Sequence, residues 1–258
     1  MKRRFVVGAA AAIAALAWSG QAGAQDAKGF GEKGQLILSA DRLFPLFSYT
    51  SFSTTETDNN VTTTQTDKGS SFVLLLGAEP GVSSIHTVPR VAVDFTVIKG
   101  LTVGGSVVLA FGLGGSSNTE TNTGGQSVSR STDAPSRTII GIGPRVGYIL
   151  PLGDIIAIWP RGGFSFYSVS EKQTTTQQNG GDVVDKNSDT IFSLDIDPQL
   201  AIVPIQHFFF HVGPLLNIPL SGSRSHDHTA GATTTTTKID LSIWHFGIST
   251  GIGGWFDL

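Results

Sequence analysis

The 258-residue chain contains no cysteine, so neither a disulfide nor a thiolate metal centre can hold its fold together. Past its first residues it also lacks long apolar runs. "FVLLLG" from Phe72 and "FFF" from Phe208 fall far short of the roughly 18 consecutive apolar residues that a membrane helix requires, which excludes helical spanning. Charge is scarce, at 14% of residues with a net value of -3, and this balance argues against a nucleic-acid partner. What the chain has instead is 32 Gly, 11 Pro and many Thr and Val, a composition that disfavours long helices and suits strands.

The first residues, "MKRRFVVGAAAAIAALAWSGQAGA", combine a basic start, an apolar stretch from Phe5 to about Trp18 and small residues at Ala22 and Ala24. This is the pattern of a secretory signal peptide over residues 1–24, with the processed chain starting near Gln25. Arg3 and Arg4 form a pair, but Phe5 follows it directly, which fits an ordinary n-region better than a twin-arginine signal. No Cys follows the apolar stretch, so no lipoprotein anchor is expected.

From there the chain alternates two textures. Between Pro89 and Phe111, Val91, Val93, Phe95 and Val97, then Leu101, Val103, Val107, Leu109 and Phe111, occupy every second position; small or polar residues stand between them. Side chains on a strand alternate between two faces, so this is a pair of amphipathic strands with a tight turn at Lys99 and Gly100. Related hairpins begin at Pro144 and Pro198, 55 and then 54 residues further on, with turns near Leu152–Asp154 and Pro204–His207. Such a period marks an internal repeat.

Four Thr-rich polar stretches interrupt the hairpins near residues 51–85, 115–136, 172–188 and 223–237. They carry too little apolar surface to offset their ordering entropy, so they are expected to be long hydrated loops, partly mobile. One strand over roughly Gly34 to Tyr49 and another over roughly Ile239 to Phe256 bring the total to eight, with both chain ends on the short-turn side. The Phe72–Ile85 segment is assigned to an ordered part of the first long loop. Alternation slips between Ile243 and Phe246, which predicts a bulge there.

The remaining question is which face is inside. The polar face is crowded with Gly, Ala and Ser, which suits the narrow interior of an eight-stranded barrel and is a poor surface for a soluble protein. The apolar face is large, and Tyr148, Phe164, Phe166, Tyr167, Trp244 and Trp255 are expected to form aromatic girdles. In lipid only helices and closed barrels satisfy their backbone. The reading is an all-β, eight-stranded antiparallel up-and-down transmembrane β-barrel, a single domain over residues 25–258, in the outer membrane of a Gram-negative cell. Its short turns face the periplasm.

The pattern resembles the small outer-membrane barrels of the OmpA, OmpX and OmpW type across essentially the whole processed chain. In the last strand, "IWHFGISTGIGGWFDL", Phe246, Ile248, Ile252, Phe256 and Leu258 share one parity, similar to the terminal strand that the family's assembly machinery recognises, although it ends in Leu258 rather than an aromatic residue. The resemblance implies outer-membrane lipids and that machinery as partners. It also implies a packed polar interior rather than a wide channel.

Arg90, Asp94, Arg145, Arg161, Asp195 and Asp197 have inward parity, and because isolated buried charges are costly the arginines are expected to pair with the aspartates. His211 shares that parity, as hydrogen-bonded filler of the lumen. A salt-bridged plug, a narrow conduction path for small solutes and a ligand site all remain open. "HDH" at His226–His228 could join a carboxylate on a metal, but its spacing falls short of a structural zinc signature, and no metal is assigned. "GIGPRVG" and "FGLGGSS" do not open a helix after a strand, so no nucleotide site is expected. Ser225 beside His226 has nothing to orient it as a nucleophile. The expectation is a non-enzymatic structural or surface-interaction protein without catalytic residues or cofactors; its external partner is left unnamed.

Overall fold

The structure is a computed structural model that describes residues 29–58, 61–72, 85–123, 126–177 and 181–258. The expected signal peptide and the Phe72–Ile85 segment between its end residues lie outside these. Twelve strands follow in order: β1 (Gln35–Asp58), β2 (Val61–Phe72), β3 (Arg90–Thr96), β4 (Leu101–Thr123), β5 (Gln126–Tyr148), β6 (Leu150–Pro151), β7 (Ile156–Trp159), β8 (Arg161–Gln177), β9 (Gly181–Ile196), β10 (Gln199–Ile205), β11 (Phe208–Ala230) and β12 (Thr233–Asp257). Hydrogen-bonded neighbours run β1, β3, β4, β5, β8, β9, β11, β12 and back to β1, every pair antiparallel.

The ring has eight wall positions because several strands share one. β2 and β3 both lie along β1, at Phe47–Asp58 and Leu36–Asp41 respectively. Pro160 separates β7 from β8 and Pro198 separates β9 from β10, since proline has no N–H to give to a ladder. Closure pairs each of the eight wall strands with a neighbour on both sides. The short turns fall where expected, and Gly100 takes a positive φ of 82° between β3 and β4.

Burial decides the orientation of the wall. Val91 and Val93 are 61% and 45% exposed, while Ala92 and Asp94, which alternate with them, are each 1% exposed. Val103, Val107, Leu109, Ile140, Ile142 and Val146 are likewise exposed. On β4 the outward apolar positions run from Leu101 to Phe111 before Ser, Asn and Thr take over, close to the roughly 9–11 residues that carry a tilted strand across a bilayer. The greasy face is the outside.

Three expectations are corrected. The Thr-rich stretches, read as loops, continue the strands as paired ribbons: β1 and β2 stay in register to Asp58 and Val61, β4 and β5 to Thr123 and Gln126, β8 and β9 to Gln177 and Gly181, β11 and β12 to Ala230 and Thr233. Backbone pairing and cross-strand hydroxyl contacts, such as Thr55–Thr64 at 3.1 Å and Thr229–Thr234 at 2.9 Å, supply what apolar burial does not. Tyr167 and Trp255 are buried in the lumen rather than set in a girdle, as their parity requires. The expected slip between Ile243 and Phe246 is absent from the ladder to β1, where the two pair without a break to Phe52 and Tyr49 and Ile243 faces inward; on the other side the ladder to β11 shifts register between Asn217–His245 and Ser223–Asp240, with the extra residue in β11. The shifts in β1 fall instead between Ala40 and Phe44 and between Pro45 and Phe47.

Candidate functional site: a charged layer in the lumen

The bulge in β1 builds the site. Arg42 takes a left-handed φ of 58°, an uncommon conformation for a residue with a side chain, and the irregularity lets two consecutive residues enter the lumen. Asp41 is completely buried and Arg42 nearly so. Sequence reasoning missed both, because strict alternation sends one of any adjacent pair outward. Two adjacent charges in an otherwise apolar strand, three residues before Pro45, were the available signal.

Around this pair the structure gathers all seven residues singled out from the sequence. Arg145, on β5, grips Asp94 of β3 with Nε to Oδ1 at 3.0 Å and Nη2 to Oδ2 at 2.5 Å, and also contacts Asp41. Arg161, from β8, donates to Asp197 at 2.7 Å and lies 3.4 Å from Asp41. Asp195 receives Ser165 at 3.0 Å and Asn217 at 2.5 Å, and sits 3.5 Å from Arg42 and 3.8 Å from Arg90. Arg90 donates to the Tyr167 hydroxyl at 2.7 Å. His211 Nε2 lies 3.0 Å from Asp41, while its Nδ1 meets Gln199 at 2.8 Å. The Gly251 hydrogen is needed here, because a Cβ would overlap His211 Nε2.

The layer is balanced in charge. Arg42, Arg90, Arg145 and Arg161 face Asp41, Asp94, Asp195 and Asp197. Arginine suits such a place because its planar fork can satisfy a carboxylate bidentately while staying charged. Cation–π contacts add support, with the Arg161 guanidinium 4.7 Å and that of Arg145 5.8 Å from the Trp159 ring.

Apolar layers close it on both sides. Towards the short turns, Phe30 packs against Phe209, Trp255 and Trp159 with ring centres 4.9, 5.1 and 5.8 Å apart. The segment carrying Phe30 is fixed by Gln35, which accepts from Gly31 N and donates to Gly29 O, both at 2.8 Å. Outside this floor lies a vestibule of about 550 Å³, bordered by Glu32, Lys99, Asp154, Ile205 and Trp255. Lys99 and Glu32 pair at 2.7 Å across its rim, which raises the Lys99 pKa.

Towards the ribbons, Ile85, Val108, Ile139, Val169, Ile191 and Ile243 form a second apolar layer with Tyr167. A 3-10 turn, Ile85–Thr87, descends into the lumen there, and Arg42 donates to the His86 carbonyl at 2.6 Å. Between the layers, Arg42, Arg90, Arg145, Arg161 and Asp195 line a cavity of about 20 Å³, room for a single water. Higher still, Arg224 holds Asp189 through two 2.7 Å hydrogen bonds, which raise the arginine's pKa.

A closed ring of eight antiparallel strands, apolar outside and charged within, defines a transmembrane β-barrel of the outer membrane. No protein-family model and no curated relative matches the chain. Among solved structures, OprG from Pseudomonas aeruginosa is similar at a TM-score of 0.46 and 9% identity, covering 90% of this chain and 100% of that one. AlkL, solved in DMPC bilayers, gives a TM-score of 0.39 at 10% identity over 92% and 96%. The outer-membrane protease OmpT from Escherichia coli gives 0.37 at 7% over 90% and 99%. These are likenesses of fold across very different sequences.

Proposed function

We propose that the protein is a non-enzymatic structural and surface-interaction element of the outer membrane, with a sealed lumen and Thr-rich ribbons on the extracellular side. The observation that carries this reading is the charge-balanced layer of four arginines and four aspartates, capped by apolar clusters on both sides. Beyond the apolar belt Thr62–Gln65 of β2 and Thr233–Thr236 of β12 present exposed rows suited to hydrogen bonding with partners. Ser225 and His226 point to opposite faces of β11, and His226 bonds Asn187 instead, so that pair is no nucleophile with its base. The terminal strand of shared parity is the segment offered to the barrel-assembly machinery.

Planar-bilayer recording tests the reading. The unmodified protein is expected to pass no steady current, and Arg145→Ala to open current only insofar as Arg145 blocks the lumen. Steady conductance in the unmodified protein would overturn the proposal in favour of a narrow passive route for small solutes.

A further inference from the structure

The ribbons bring together a group that chain spacing left apart. β9 and β11 pair antiparallel above the apolar belt, with His228 directly across from Asp185 and His226 across from Asn187. Residues two apart on a strand share a face, so His226, His228 and Asp185 project to one side, the side that continues the lumen wall upward from Asp189 and Arg224. His228 Nδ1 lies 2.6 Å and His226 Nε2 3.9 Å from Asp185 Oδ1, and one ligand atom from each residue falls within 4.8 Å of the others.

We infer that Asp185, His226 and His228 form a binding site for a divalent transition metal of the zinc type. Asn187 supplies the second, independent observation. Its side-chain oxygen lies 2.8 Å from His226 Nδ1, so it accepts that proton and leaves the Nε2 lone pair turned towards Asp185. Metal-ligating histidines are oriented in this way, by a carbonyl or carboxylate on the far ring nitrogen.

Two imidazoles and one carboxylate make a three-ligand set with a fourth position open to water, a common zinc arrangement. The mixed nitrogen and oxygen donors select zinc, copper or nickel over magnesium or calcium, which take oxygen shells. Zinc bonds of about 2.0–2.2 Å place ligand atoms roughly 3.3 Å apart. The Asp185–His226 gap therefore narrows slightly and the Asp185–His228 contact widens. All three side chains are between about a third and a half exposed and free to make that adjustment. In the empty site His228 Nδ1 donates its proton to Asp185 at 2.6 Å; on binding, the ion displaces that proton from Nδ1, and the neutral ring carries its remaining proton on Nε2. The ion then clips the β8–β9 hairpin to the β11–β12 hairpin near their ends.

The test uses the untagged full chain folded in detergent micelles, titrated calorimetrically with zinc chloride. One ion per chain is expected, with affinity lowered at least about tenfold in His226→Ala and in His228→Ala and about 10–100-fold in Asn187→Ala; magnesium chloride gives no heat. Loss of binding confined to these variants supports the site. No zinc uptake by the unmodified protein, or equal uptake by the His226→Ala/His228→Ala double variant, overturns it. Unheated gel mobility shows that each variant is folded, and Asn187→Ala, which removes no ligand, decides the matter if the double variant does not fold.

Discussion

At the scale of single residues, Asp41 is the hinge of the interior. It meets Arg145, Arg161, Ser39 at 2.8 Å and His211, all out of water. Removing one partner of a buried ion pair leaves the other charge uncompensated, at a cost of about 3–5 kcal/mol, whereas removing both partners together costs far less. Asp41→Ala is therefore expected to lower barrel stability by that amount in urea unfolding followed by gel mobility. The double variant Asp41→Ala/Arg145→Met is expected to lose less than the sum of the two single changes. Additive losses would mean that the two side chains do not act as a pair.

At the scale of elements, each strand is two structures in series. β4 carries its outward apolar residues to Phe111 and then continues as part of a polar ribbon to Thr123. Val107→Lys places an ammonium in the belt and is expected to destabilise the barrel by about 2–4 kcal/mol near the midplane, while Thr235→Lys on a ribbon is nearly neutral. Equal losses at both positions in urea titrations would contradict this placement of the belt. The belt was legible in the sequence because Val91, Val93 and Phe95 alternate with Ala92 and Asp94, and period two has one physical cause. The ribbons were not, because Thr-rich composition shows only how little apolar area it can bury, and ladder hydrogen bonds do not show in composition. Nor was the β1 bulge: strict alternation admits only one of Asp41 and Arg42 to the lumen, and the adjacent charges ahead of Pro45 are the one local mark of the irregularity that admits both. Tyr167 and Trp255 show the opposite: aromatic type suggests a girdle, while the parity they share with Ser165 and Gly253 sends them inward.

At the scale of the whole molecule, the usual arrangement of a soluble protein is inverted. The charges are central, sealed by Phe30, Trp159, Phe209 and Trp255 on one side and by Ile85, Val108 and Ile191 on the other, while Val91, Leu109, Phe111, Ile142 and Val146 stand outside, each more than half exposed. Monomeric soluble proteins rarely expose a continuous apolar patch beyond about 300–600 Å², and a belt encircling eight strands exceeds that by its extent alone. Within a bilayer the same belt faces hydrocarbon, and the strand-to-strand ladders around the ring pair the backbone there internally. The processed chain is therefore expected to be monodisperse in detergent micelles, with an unheated form that migrates apart from the boiled one, and to aggregate once detergent is removed. A chain that stayed folded and monodisperse in plain buffer, by light scattering and circular dichroism, would show that water tolerates the apolar face, and the lumen, the ribbons and their orientation would then all require a different account.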